Sequence, residues 1–155
     1  WGSNEELDAF KTHLGEVFHA FVKRDWQRQE GEPVEDDLLI RADKNPNTTK
    51  ARELFGDTEA ALGEGTDLVL IWGEGFDFSQ LPPRARVIFL NSYLAPENGH
   101  ADVFIPISVQ TERSGHYTNS DGVVSAFERC FAKKESVFDA AVLFKALAAP
   151  ARGHP

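Results

Sequence analysis

The chain has 155 residues, of which 41% are hydrophobic, a size that suits one domain with a substantial core better than two domains. Its 25 acidic and 16 basic side chains give a formal charge of −9, which argues against nucleic acid and anionic membrane surfaces as partners, because their binding sites are basic. The single cysteine, Cys130, excludes an intramolecular disulfide and cannot hold an iron–sulfur cluster alone.

No apolar run approaches the roughly 18 residues of a membrane span, and no basic-then-apolar signal pattern opens the chain. We therefore expect no direct membrane insertion. The sequence contains no methionine and begins with Trp1, which suggests a domain excised from a longer chain; a processed or tag-cleaved short protein is the alternative. We expect residues 1–150 to form one domain and residues 151–155 to form a mobile tail.

Two helices are predicted in the first third of the chain. Ser3 to Glu6 has the Ser-x-x-Glu pattern of a capping box, and the apolar residues that follow recur at helical spacing: Leu7, Phe10, Leu14, Val17, Phe18 and Phe21. The charged stretch 24–36, which contains glycine and proline, predicts a loop. Thr48 or Thr49 can cap a second helix, Lys50 to Phe55, and Gly56 fits its C-terminal stop.

Four strands are predicted, at residues 38–42, 68–72, 86–90 and 101–107. Residues 68–72 form an uninterrupted apolar run, which is typical of a strand buried on both faces. Strands that alternate with short helices or loops predict an α/β fold, in which a mostly parallel sheet carries helices on both faces. We expect this sheet to be Rossmann-like or flavodoxin-like.

A last helix is predicted after a capping-box-like start at residues 136–139, and Pro150 prevents its continuation beyond about Ala148. Its apolar residues are expected to face the sheet: Phe138, Val142, Leu143, Ala146 and Leu147. Residues 123–127 are predicted to extend briefly as a strand.

The most informative stretch is residues 101–122, ADVFIPISVQTERSGHYTNSDG. A short apolar strand should stop pairing at Pro106, because proline donates no backbone hydrogen bond. Glu112, Gly115, Asn119 and Gly122 then have the spacing of a loop that folds back on itself.

This stretch resembles the molybdopterin oxidoreductases and the large iron–sulfur subunit of respiratory NADH:quinone oxidoreductase, respiratory complex I. The positions that carry the resemblance are Ala101, Asp102, Val103, Pro106, Glu112, Gly115, Tyr117, Thr118, Asn119, Asp121 and Gly122. The segment from Asn45 to Ala51 and the start of the first helix are similar more loosely. The resemblance implies a vestigial cofactor-binding set made of Glu112, Gly115, Thr118, Asn119 and Gly122.

Two positions depart from the family pattern, since Val123 replaces the usual Arg and Ser125 the usual Gln. Arginine suits bidentate phosphate contacts, so its loss argues against bound molybdopterin. The resemblance therefore implies a scaffold domain of an NADH:quinone oxidoreductase large subunit, not catalytic alone, with no cofactor or metal of its own and iron–sulfur clusters elsewhere in the parent chain. Its partners would be other domains or subunits of a respiratory oxidoreductase, in the cytoplasm and peripheral to the inner membrane.

Two other functions stay open from the sequence. One is a fragment of a molybdopterin-dependent oxidoreductase that contributes one wall of the cofactor pocket, and the other is a stand-alone interaction module. Gly73-Glu-Gly75 after a strand is a weak nucleotide-binding signal, because a third glycine is missing and Glu74 would repel phosphate. His116 has acidic neighbours and Cys130 has basic ones, but a solvated histidine and a packed cysteine explain both better.

Overall fold

The computed structural model describes residues 2–22, 46–56 and 62–149. The predicted loop at 24–36, the predicted strand at 38–42 and the predicted tail at 151–155 lie outside the described residues. In the described part the helices are α1 (Asn4–Leu14), α2 (Thr48–Phe55) and α3 (Ala140–Leu147). The strands are β1 (Leu68–Trp72), β2 (Arg86–Asn91), β3 (Val103–Pro106), β4 (Gly115–Thr118) and β5 (Val124–Phe127).

The first three strands form a parallel sheet in the order β1-β2-β3. The register places Leu70 beside Ile88 and Leu90 beside Ile105. The expected mixture of helices and strands and the three parallel strands after residue 62 are thus confirmed, and β3 ends at Pro106 as its missing donor requires. The expected helices on both faces are not found in the described residues, where α1 and α3 share one face and the other is covered by the β1–β2 connection.

Both faces of this sheet are packed. On one face α1 and α3 meet the sheet, where Phe144 is fully buried and its ring contacts those of Phe10 (5.1 Å between centroids) and Trp72 (4.9 Å). On the other face Phe89 packs against Phe78, which lies in a connection between β1 and β2. Fully burying one such phenylalanine contributes about 1.5–3 kcal/mol, so these contacts fix α1 and α3 on one side of the sheet.

The segment expected to be a loop around Gly115 is instead the first strand of a hairpin. β4 pairs antiparallel with β5, from Gly115 opposite Phe127 to Thr118 opposite Val124. The expectation of a loop was wrong because it rested on glycine and polar composition, whereas Tyr117 stacks on Phe127 at 4.7 Å and supports the pairing. The brief strand expected at 123–127 is confirmed.

The boundaries of α1 and α2 correct two sequence predictions. α1 ends at Leu14 with Gly15 as C-cap, so Val17 is 76% exposed, although Phe18 still packs on the core from the following turn. α2 begins at Thr48 and its N-cap is Asn47 in the left-handed conformation (φ 64°), so neither Thr48 nor Thr49 is the cap. The expected stop at Gly56 is confirmed, with φ 78°.

α3 begins at Ala140, later than the capping-box-like residues 136–139 predicted. Its buried face is Ala140, Leu143 and Phe144, which pack in one core cluster with Phe10 and Leu14 of α1 and Leu90 of β2. Of the five residues predicted to face the sheet only Leu143 is buried. The prediction was wrong for the others, which are exposed: Phe138, Val142, Ala146 and Leu147.

Candidate functional site

The predicted capping box opens α1. The Ser3 hydroxyl accepts a hydrogen bond from the Glu6 backbone N–H (3.3 Å), and Glu6 Oε2 accepts one from the Ser3 backbone N–H (2.8 Å). Both side chains are buried, so the two oxygens satisfy amides that would otherwise lack partners at the helix start. This orients the Glu6 carboxylate towards the interior.

The other oxygen of this carboxylate meets a buried cation. Glu6 Oε1 lies 3.1 Å from an Arg113 guanidinium nitrogen, and the two side chains are only 5% and 10% exposed. Arg113 also donates to the Ser108 carbonyl oxygen at 2.9 Å. Burial raises the pKa of Glu6, and the Arg113 charge opposes that effect only in part. The pair thus joins the start of α1 to the segment that leads into β4.

On the edge of β4 that faces away from β5, backbone N–H groups bond to side chains and not to another strand. The His116 backbone N–H donates to Glu5 Oε2 (3.0 Å), and the Thr118 backbone N–H donates to Asn47 Oδ1 (2.8 Å). The Asn47 amide nitrogen in turn donates to the Gly2 carbonyl oxygen (2.8 Å). Asn47 therefore ties three segments together, which explains why this buried residue holds a left-handed conformation.

Glu5 contacts His116 through both carboxylate oxygens, since its second oxygen lies 2.6 Å from the imidazole Nδ1. Burial raises the pKa of Glu5, but the hydrogen bonds from the His116 side chain and backbone outweigh it, so the net direction is down. Both side chains are 48% exposed, and solvent therefore weakens their electrostatic attraction.

We use the name joint for the contacts of Glu5, Glu6 and Asn47 with Arg113, His116 and Thr118. An open cleft of about 420 Å³ lies beside it. Its charged lining residues are Glu5, Glu6, Glu112, Arg113, Glu128, Arg129, Lys133 and Asp139. Lys133 is already paired with Asp139 at 2.6 Å. Because acidic side chains outnumber basic ones, the cleft does not favour an anionic cofactor such as a pterin dinucleotide.

The five predicted site residues do not converge on this cleft. Glu112 lines it, but its Oε2 accepts from the Val109 backbone N–H (3.1 Å). Thr118 is buried and its hydroxyl bonds to the Asn4 side chain (3.0 Å). Gly115 lies so close to α1 that an added Cβ would be 2.7 Å from Glu5 Oε2.

Asn119 and Gly122 lie at the exposed tip of the hairpin. Asn119 Oδ1 accepts hydrogen bonds from the backbone N–H groups of Asp121 and Val123, both at 2.9 Å. Gly122 has φ 79°, the left-handed region that favours glycine. These two residues form the turn, and Val123 is 56% exposed beside them.

Two of the weaker candidates from the sequence, Gly73-Glu-Gly75 and Cys130, make none of the contacts of the joint, whereas His116 belongs to it through Glu5. Gly73 and Gly75 both have positive φ, but only a short 3₁₀ turn, Phe78–Gln80, follows them, which supplies no helix N-terminus for a phosphate. Cys130 is exposed. Within residues 2–22, 46–56 and 62–149, no three His, Cys, Asp or Glu side chains are grouped as metal ligands, and no helix is long and apolar enough to cross a bilayer.

Sequence reasoning missed Glu5, Asn47 and Arg113 as members of the joint. Only Asn47 carried a local signal, since Asn tolerates the left-handed conformation and follows a proline here. Comparison with models of known protein families gives no match, and comparison with curated protein sequences gives none that is significant.

Proposed function

We propose that this chain is a non-catalytic scaffold domain of the molybdopterin-oxidoreductase type, similar to part of the large iron–sulfur subunit of NADH:quinone oxidoreductase. The observation that carries the proposal is that polar side chains of the motif at residues 101–122 form their hydrogen bonds within the chain itself. The side chains of Glu112 and Asn119 accept hydrogen bonds from nearby backbone N–H groups. The Thr118 hydroxyl bonds to a side chain of α1. Such a motif stabilises a fold without presenting a cofactor site.

The proposal includes a finer description of fold and setting. The parallel order β1-β2-β3 supports a Rossmann-like or flavodoxin-like sheet as the finer description of the fold. In the proposed setting the domain lies in the cytoplasm, peripheral to the inner membrane through partner subunits. Iron–sulfur clusters belong to other parts of the parent chain, and this domain supports them mechanically.

Two measurements test the absence of a cofactor site. The purified domain should show no stoichiometric visible absorbance from flavin, cluster or pterin. Calorimetric titration with a molybdopterin guanine dinucleotide analogue should detect no binding by the wild type. Val123→Arg would add one charge-assisted contact, which contributes about 1.5–3 kcal/mol to binding. A site held by that contact alone would still bind the analogue more weakly than millimolar affinity. Micromolar binding by the wild type would favour the pterin-enzyme fragment instead.

The scaffold role has its own test. In cell extracts resolved by native electrophoresis, the chain should migrate at a mass far above 17.2 kDa, together with NADH dehydrogenase activity. The matched control is an extract from cells that lack the dehydrogenase, in which the large species should disappear. Migration at 17.2 kDa in both extracts would contradict the proposal and favour a stand-alone module.

A further inference from the structure

The hairpin belongs to a segment that leaves the parallel sheet and returns to it at one point. This hairpin segment, residues 109–137, lies between Ile107 and Phe138, which form a parallel bridge. The Ser108 backbone N–H donates to the Phe138 carbonyl oxygen (2.9 Å), and the Phe138 backbone N–H donates to the Pro106 carbonyl oxygen (3.0 Å). Because the bridge holds both ends, movement of the hairpin segment leaves the pairing of β1, β2 and β3 intact.

The hairpin segment has no share in the apolar core. Of the described residues that form the three buried apolar clusters, none lies between 108 and 138. Tyr117 stacks on Phe127 within the hairpin itself, and Thr118 is the one buried residue of the segment. Segments with few buried apolar contacts open at a lower free energy than the whole fold unfolds.

Polar side chains join the hairpin segment to α1 and to the start of α2. Glu5 accepts the hydrogen bond of the His116 backbone N–H, and Asn47 accepts that of the Thr118 backbone N–H. The Asn4 side-chain amide donates to the Thr118 hydroxyl. Water replaces these partners when the two surfaces separate, so each bond makes only a modest net contribution to the closed state.

The buried ion pair makes the movement all-or-none. A small displacement of Arg113 would leave the Glu6 carboxylate buried without its partner, which is costly. Complete separation instead returns both charges to water and recovers the hydration free energy that burial removes. Intermediate positions are therefore disfavoured, and the contacts of the hairpin segment with α1 should break together.

The cleft of about 420 Å³ lies between the two surfaces that would separate. Ser3, Glu5 and Glu6 line it at the start of α1. Arg113 and Arg129 line it from the hairpin segment. Movement of the segment away from α1 would therefore widen the cleft and expose the Glu6 carboxylate within it.

We propose that residues 109–137 open as one unit about the Ile107–Phe138 bridge, while the sheet β1-β2-β3 remains folded. In the open state β4 and β5 stay paired with each other but lose their contacts with residues 4–6 and with Asn47. The hairpin segment is thus a flap whose position sets the width of the cleft. The inference goes beyond the proposed function.

Hydrogen exchange of the native protein tests whether this opening is local. The backbone amides of His116 and Thr118 should share one free energy of opening, lower than that of the amides in the centre of β2. Low concentrations of urea should hardly change exchange at His116 and Thr118, because opening exposes little apolar surface, but should accelerate exchange in β2. Different opening free energies for His116 and Thr118, or the urea dependence of β2 at both, would overturn the proposal.

Asn4→Ala tests whether the contacts break together. The substitution removes a bond to the Thr118 side chain but keeps the acceptor of the His116 amide, so only a shared opening accelerates exchange at His116. We expect exchange at both amides to be about threefold to tenfold faster. Ser114→Ala is the matched control, because its hydroxyl bonds to Glu128 within the hairpin segment and that bond persists in the open state. Unchanged exchange at His116 in Asn4→Ala, or equal acceleration in Ser114→Ala, would contradict a single flap.

Discussion

Glu6 and Arg113 form an ion pair at 3.1 Å between α1 and the segment before β4, and both side chains are almost completely buried. The same Glu6 carboxylate closes the capping box with Ser3. One side chain thus completes a local helix signal and a long-range contact. The hairpin and the helix are consequently coupled, because moving one away from the other would leave a buried charge without its partner.

Removing the cation should destabilise the fold strongly. Arg113→Met leaves the Glu6 carboxylate buried without its partner, and breaking a buried pair in this way costs about 3–5 kcal/mol. Urea denaturation should report this loss in the free energy of unfolding. Lys134→Met, on an exposed side chain, is the matched control and should change stability by less than about 0.5 kcal/mol. Similar losses of unfolding free energy in both variants would show that the ion pair makes no specific contribution to stability.

The raised pKa of Glu6 predicts a pH dependence with a definite sign. Between the ordinary value of 4.5 and the higher pKa in the folded state, the folded chain holds more protons on this carboxyl than the unfolded chain. Its contribution to stability therefore falls as pH rises through that window. Relative to Glu6→Gln, the wild type should gain free energy of unfolding when pH is lowered from 7 towards the ordinary value of 4.5. A constant difference between the two proteins would contradict a raised pKa.

The parts of the fold that the sequence predicted are those specified by neighbouring residues. β1 and β2 are contiguous apolar runs, and the Ser3–Glu6 box lies within four residues. The Glu6–Arg113 contact could not be predicted in this way, because nothing near either residue encodes the other. Its burial depends on how α1 packs beside the hairpin.

β4 shows why composition misled the loop prediction. Gly115 to Thr118 has the glycine and polar content of a loop, but its edge is completed by Glu5 and Asn47 from distant segments. The α3 face was mispredicted for a related reason. The helix is apolar on most sides, so periodicity could not select Leu143 and Phe144 over Val142.

Glu5 should protect the edge of β4 from solvent. Glu5→Ala removes the acceptor of the His116 amide, so hydrogen exchange at that amide should accelerate while exchange in β2 is unchanged. Since the pair is half exposed, we expect a loss of stability of only about 0.5–1 kcal/mol. The lowered pKa of Glu5 means that this contribution is present above pH 4.5 and is lost as pH falls through the folded pKa. Unchanged exchange at His116 would contradict this role.

Gly115 is expected to be required for close packing and not for backbone freedom. A Cβ there would lie 2.7 Å from Glu5 Oε2 and 3.0 Å from Ser3 Cβ. Gly115→Val should therefore push α1 from the hairpin and lower the free energy of unfolding by about 1–3 kcal/mol. Gly99→Val is a control, since a Cβ at that exposed site meets no atom within 4 Å. Equal melting temperatures for Gly115→Val and the wild type would show that the contact can relax.

Gly122 is expected to be required for its backbone conformation and not for close packing. No atom lies within 4 Å of a Cβ added there, but φ is 79°, where side chains are strained. Gly122→Val should lose about 1–3 kcal/mol, because a β-branched residue is disfavoured at positive φ. Gly122→Asn should lose clearly less, since asparagine tolerates the left-handed region. Thermal melting of the two variants separates strain from crowding, and equal losses for Val and Asn would show that backbone conformation is not the cause.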